Sequence, residues 1–133
     1  MVITIDPDSG IPVYRQIMDQ IRFQIASGML EPDDELPSTR SLSTELSINP
    51  MTISKAYSLL EKEGMVQRRP GRPLVVAPRS EQETMLEKRR QLEEALLPTA
   101  WIAQQLDIAP KEALDIFQTV LERVYQDQSR STE

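Results

Sequence analysis

The spacing of apolar positions changes several times along the chain, and each change marks an element. Val13, Ile17, Ile21 and Ile25 recur every fourth residue, with Tyr14 and Met18 beside them. That spacing predicts one apolar stripe on a helix of about four turns. Pro12 suits the first helical position, and Gly28 suits the position just past the end. Ahead of it, the β-branched residues 2–5 predict a small strand and residues 6–10 a turn. Residues 31–35 form an acidic loop, followed by Leu36-Pro37. Ser38 is a good N-cap for a short helix carrying Leu42 and Leu46. A tight break at Ser47-Ile48 leads to Asn49-Pro50, an N-cap followed by a first-position proline, and this third helix stops at Gly64.

Two strand-like runs follow, 65–69 and 74–77, joined by Pro70-Gly71. Pro-Gly fits the centre of a type II turn, so a β-hairpin is expected with its tip outside any ladder. Ser80-Glu81-Gln82-Glu83 is a capping box opening a long helix. Met85, Leu92, Leu96, Ala100 and Ala103 give that helix an apolar face, broadened by Leu86 and Leu97. Pro98 falls inside the pattern and predicts a kink or break. Residues 107–110 mark a restart. The last helix carries a wide stripe of Ala113, Leu114, Phe117, Val120, Leu121, Val124 and Tyr125, and the polar tail from Gln126 is expected to fray. The fold class is therefore mainly α with a small β-hairpin wing. Residues 1–78 would form a winged helix-turn-helix domain and residues 79–133 a short α-helical segment.

Placed at 100° per residue, the helix from Pro50 turns Ile53, Ala56, Tyr57 and Leu60 to the core. Met51, Lys55, Ser58 and Lys62 fall opposite, flanked by Thr52 and Ser54. The outer face is small, hydroxylated and basic. Small side chains let a backbone approach base edges, and hydroxyl and ammonium groups can bond phosphates and bases. A Ser-rich face arising by accident is the alternative. The two preceding elements favour the first reading, because a short helix, a tight turn and a longer helix have helix-turn-helix proportions. Arg68, Arg69 and Arg72 on the hairpin can reach a minor groove or flanking phosphates, with Gly71 allowing close approach. A solvated arginine cluster on a turn is the competing reading.

Charge sharpens this picture. The chain of 133 residues has a net charge of −6. Residues 36–78 nonetheless carry six basic and three acidic side chains, and the windows 46–60 and 64–80 hold no acid at all. A local basic footprint matters more to phosphate binding than the total. With no Cys and no His, disulfides, thiolate chemistry, zinc-finger ligation and imidazole catalysis are excluded. No Gly-rich phosphate loop or placed carboxylate pair suggests an enzyme, and no cofactor or metal is expected. No apolar run is long enough to span a membrane, and the first residues lack a secretory pattern, so a cytoplasmic, nucleoid-associated protein is expected.

Residues 11–76 resemble the N-terminal domain of the GntR family of bacterial transcription regulators. The matching residues are Pro12-Val13-Tyr14-Arg15-Gln16-Ile17, Ile25-Ala26-Ser27-Gly28, Leu36-Pro37-Ser38-Thr39-Arg40-Ser41-Leu42, Leu46, residues 49–57, Leu60, Glu63-Gly64 and the Arg-rich hairpin. The short C-terminal part looks most like the YtrA subfamily. The resemblance implies a homodimeric repressor, often of a transporter operon, that binds a double-stranded DNA operator and dimerises through its C-terminal helices. It also implies DNA contacts. Ser38 would bond a phosphate, with Thr39 beside it. Arg40 would read a base. Asn49, Met51, Thr52, Ser54 and Lys55 fall on recognition-helix positions, and Gly71 enters the minor groove between Arg68, Arg69 and Arg72. Three positions depart from the pattern: Asp34 where a Gly is usual, Pro50-Met51 in place of more polar residues, and Pro73-Leu74 in place of Gly-Thr.

Leu92, Leu96, Leu114, Phe117, Val120, Leu121 and Val124 form the expected dimer interface. Packing of the two C-terminal helices on each other is the alternative use of these side chains. Trp101 and Met85 near Pro98 could line a small apolar pocket for a small-molecule effector, or be plain core or interface. A nonspecific architectural binder and a protein-interaction module are the competing functional readings.

Overall fold

The computed structural model describes residues 1–131. In order, the elements are α1 (Val13–Ser27), α2 (Thr39–Leu46), α3 (Pro50–Lys62), β1 (Val66–Gln67), β2 (Val75–Val76), α4 (Glu81–Gln105) and α5 (Pro110–Ser131). The residues group into two compact units, Met1–Arg89 and Arg90–Glu133.

The first unit is a winged helix-turn-helix. Ile17 and Ile21 of α1, Leu42 of α2, Ile53, Ala56 and Leu60 of α3, and Val66 and Val76 of the hairpin are all essentially buried. Each of these valine, leucine and isoleucine side chains withdrawn from water contributes about 1.5–3 kcal/mol, so this core holds the three helices and the wing together. The helix boundaries follow from local chemistry. Ser38 caps α2 by accepting from the Ser41 amide at 3.0 Å. Asn49 caps α3 by accepting from the Met51 amide at 2.8 Å, with Pro50 in the first turn. Ser47 turns between them in the left-handed region at φ 55°. The Arg22 guanidinium clamps α1 to the end of α3, donating from Nε to Glu63 Oε2 at 3.0 Å and also bonding Glu63 Oε1 and Asp19.

The expected N-terminal strand does not form. Residues 2–6 run extended along α1 and bond to glutamine side chains instead of a partner strand. Gln24 donates to the Val2 carbonyl at 2.7 Å. Gln20 exchanges two bonds with the Thr4 backbone at 2.9 and 2.7 Å. Gln16 does the same with Asp6, at 2.9 Å for each bond. Two extended residues advance about 6.6 Å and four helical residues about 6 Å. Every second backbone position therefore meets every fourth helical side chain, and Ile3 between them is buried.

Val66 pairs with Val76 and Gln67 with Val75 in the antiparallel hairpin. Its tip is the expected tight turn, with Gly71 at φ 72° and the Arg72 amide bonded to the Arg69 carbonyl at 3.1 Å. The segment expected to be a plain acidic loop joins this sheet. The Asp33 amide donates to the Val76 carbonyl, the Val76 amide to the Asp34 carbonyl and the Leu36 amide to the Leu74 carbonyl, each at 2.8 Å. The left-handed residue here is Asp33, at φ 73°. The position suited to glycine is thus 33, not 34.

The capping box forms as expected: Glu83 N donates to Ser80 Oγ at 3.1 Å, and Ser80 Oγ to Glu83 Oε1 at 3.1 Å. Of the kink or break expected at Pro98, the break does not occur: α4 continues through it to Gln105. The restart is a left-handed turn at Asp107, φ 57°. From Pro110, α5 continues to Ser131, so the tail expected to fray from Gln126 is helical over residues 126–131, its last two positions lying outside the described residues.

Candidate nucleic-acid interface

The site is assembled from three neighbouring pieces of the first unit: the start of α2, the outer face of α3 and the wing. Tyr57 anchors the first two. Its hydroxyl donates to the Pro37 carbonyl at 2.8 Å, which ties the loop before α2 to the middle of α3. Burial, with the Glu45 carboxylate nearby, pushes the Tyr57 hydroxyl well above the usual tyrosine range. It therefore stays a neutral donor. Ser38 and Arg40 are exposed and Thr39 is half-buried. The Ser38 oxygen is used as a cap acceptor, and its O–H remains a donor suited to phosphate. Ser38, Thr39, Tyr57, Arg68, Pro73 and Leu74 line an open cleft between the start of α2 and the wing.

On α3 the two faces separate as expected. Ile53, Ala56, Tyr57 and Leu60 are buried, whereas Met51, Ser54, Lys55, Ser58 and Lys62 are exposed and Thr52 is half-buried. Met51 is 77% exposed, and an unbranched apolar side chain held in water this way suits contact with a thymine methyl. Asn49 spends its carbonyl oxygen on the cap and keeps its NH2 donors. Lys55 is outward but not unattended: its Nζ lies over the Tyr14 ring, 3.9 Å from the centroid. That cation–π contact was not foreseen. Lys55 and Tyr14 are far apart in sequence, and only the packing of α1 beside α3 joins them.

The wing arginines were expected to be solvent-facing cations, and each is instead paired with an acid. Arg69 Nη1 lies 2.9 Å from Asp33 Oδ1. Arg72 reaches Asp33 at 3.3 Å and Glu35 at 3.4 Å. Arg68 lies 3.6 Å from Glu61. Nothing lies within 4 Å of where a Cβ on Gly71 would sit. The turn's backbone conformation, not crowding within the free chain, calls for glycine there.

In the second unit, the residues expected at a dimer interface sit on open helix surface. Leu92, Leu114, Val120, Leu121 and Val124 are exposed, and Leu96 and Phe117 are half-buried. Tyr125, on the same expected stripe, is exposed, as are Ile102, Leu106 and Ile116, unnamed in that expectation. No side chain of α5 is buried. Trp101 is 57% and Met85 64% exposed, so neither is plain core in the chain alone. Among the described residues, no helix is long and apolar enough to cross a membrane.

A short capped helix, a left-handed turn, a second helix with an open hydroxylated face and a following hairpin define a winged helix-turn-helix of the DNA-binding kind. The family model described as bacterial regulatory proteins, gntR family, matches residues 13–76. The HTH-type transcriptional repressor YtrA of Bacillus subtilis is 45% identical over 71 residues, covering 53% of this chain and 55% of that protein. The chain thus matches about half the length of that relative. The solved structure of YtrA from Sulfolobus acidocaldarius, a GntR-family transcription factor, is 33% identical with a TM-score of 0.55, over 92% of this chain and 99% of that one. The AraR DNA-binding domain in complex with operator ORX1 aligns with a TM-score of 0.50 and 28% identity, over 58% of this chain and 95% of that one. This chain belongs to the GntR family of bacterial regulatory proteins, a family of DNA-binding transcription regulators rather than enzymes.

Proposed function

We propose that this protein is a cytoplasmic, nucleoid-associated repressor that binds an inverted-repeat operator as a homodimer, with a transporter operon as its target. Residues 1–78 read the DNA and residues 79–133 join the subunits. The observation that carries the DNA-reading role is the open Met51–Lys62 face of α3, set beside the exposed start of α2 in one rigidly packed unit. α3 enters the major groove, where Asn49, Met51, Thr52, Ser54 and Lys55 meet bases and phosphates. Arg40 reads a base through its planar fork, which matches guanine O6 and N7. Ser38 and Thr39 meet a phosphate. Arg68, Arg69, Gly71 and Arg72 carry the wing to the flanking minor groove. The repressor named among the relatives and the operator complex of the AraR domain support this reading.

Dimerisation is supported by α5, most of whose apolar stripe (Leu114, Val120, Leu121, Val124 and Tyr125) is exposed in the single chain. Two linked modules double the phosphate contacts and align with a two-fold symmetric site. Selection of bound sequences from random DNA tests the whole reading. The expected result is a palindromic consensus, preferred over random duplex by about a thousandfold or more. An absence of any consensus would instead mark a nonspecific architectural binder.

A further inference from the structure

We infer that Asp33 and Glu35 set how sharply this protein discriminates its operator from random duplex, by neutralising the wing arginines of the free chain. The inference rests on the reading above, in which the wing meets DNA. The two acids are placed by backbone, not by chance contact of mobile side chains. Three 2.8 Å hydrogen bonds bind residues 33–36 along β2, so both carboxylates lie alongside the wing whatever their rotamers. Asp33 bridges Arg69 at 2.9 Å and Arg72 at 3.3 Å, Glu35 holds Arg72 at 3.4 Å, and Glu61 faces Arg68 at 3.6 Å. Three arginines thus stand against three carboxylates from neighbouring segments, so the charge of a hairpin that reads as strongly basic in sequence is opposed in the fold.

These pairs do little for stability. The Asp33 and Glu35 side chains are 53% and 51% exposed, and exposed pairs are weakened by water and salt. Their effect falls on binding. Random-duplex affinity comes almost wholly from cations replacing counterions along the phosphates. An arginine held by a carboxylate contributes to that only after leaving its partner, and the carboxylate left behind repels the backbone. On an operator, base contacts from α2 and α3 dock the module independently of the wing and offset that exchange. The acids therefore weaken nonspecific binding more than specific binding.

The test is the variant Asp33→Asn/Glu35→Gln. It keeps side-chain shape, and asparagine tolerates the left-handed backbone at 33. Binding to operator and to random duplex is measured across a salt series. The expected result is about tenfold tighter binding to random duplex, with the slope of log K against log salt steeper by about 0.9 for each arginine released. Operator affinity should rise less, so discrimination falls. Glu31→Gln removes a charge from the same loop without touching an arginine pair and should change neither slope nor ratio. Equal tightening on both DNAs, an unchanged slope, or the same response from Glu31→Gln would overturn the inference. Arg69→Gln/Arg72→Gln separates it from the reading beneath. If that variant binds operator as tightly as the parent, the wing does not meet DNA. If it binds more weakly while the acid variant behaves like the parent, the role of the acids alone fails.

Discussion

Arg40, proposed above to read a base, is exposed at the second position of α2. Arg40→Ala should cost about 1–3 kcal/mol on the operator and relax preference at one base position. An equal loss on random duplex, read by competition titration, would make Arg40 a phosphate contact instead. Tyr57 is the opposite case, a buried residue whose hydroxyl holds the site in shape. Tyr57→Phe removes the bond to the Pro37 carbonyl and should lower unfolding stability by about 1 kcal/mol. Its acid–base behaviour gives a second readout. The folded state raises the Tyr57 pKa above the unfolded value of about 10. The stabilisation is therefore complete below that pH and is lost as pH rises past it. Melting curves should fall more steeply above about pH 10 for the parent than for Tyr57→Phe. Tyr57 was legible as core from its helical spacing, whereas its partner was not, because the two lie 20 residues apart.

At the scale of elements, punctuation was legible where its chemistry is local. Ser38, Asn49-Pro50 and the Ser80–Glu83 box each act within one turn, and each forms as expected. The Val2–Ile5 expectation failed because β-branched residues specify extended backbone, not what that backbone bonds to. The available signal was Gln16, Gln20 and Gln24 at four-residue spacing on α1. At Pro98, where a kink or a break was expected, the break does not occur. Proline removes one hydrogen bond and crowds the preceding turn, at a cost of about 3 kcal/mol, but 25 residues of helix outlast it. Pro98→Ala should restore the bond to the Glu94 carbonyl and raise stability by up to about 3 kcal/mol, measured by thermal unfolding. An unchanged melt would show that α4 already relaxes around the ring.

At the scale of the whole molecule, the apolar stripe of α5 is largely exposed in a single copy, with no side chain of the helix buried and Ala113 and Phe117 half-buried. If the proposed homodimer forms through this stripe, Phe117→Glu should give a monomer in light scattering and weaken operator binding, since two half-sites are then no longer held together. A dimer that persists with full operator affinity would place the subunit contact elsewhere. Helix caps, turn glycines and the two faces of α3 could be read before any coordinates, because each depends on residues within one or two helical turns. Folding alone revealed which distant pieces meet: the acids at 33 and 35 beside the wing, Lys55 over Tyr14, and the glutamines of α1 along the N-terminal backbone. Those encounters depend on how α1 packs on α3 and on which strand edge residues 33–36 occupy. Non-local packing of this kind leaves no periodic trace in the chain, and here it set three acids against a basic hairpin.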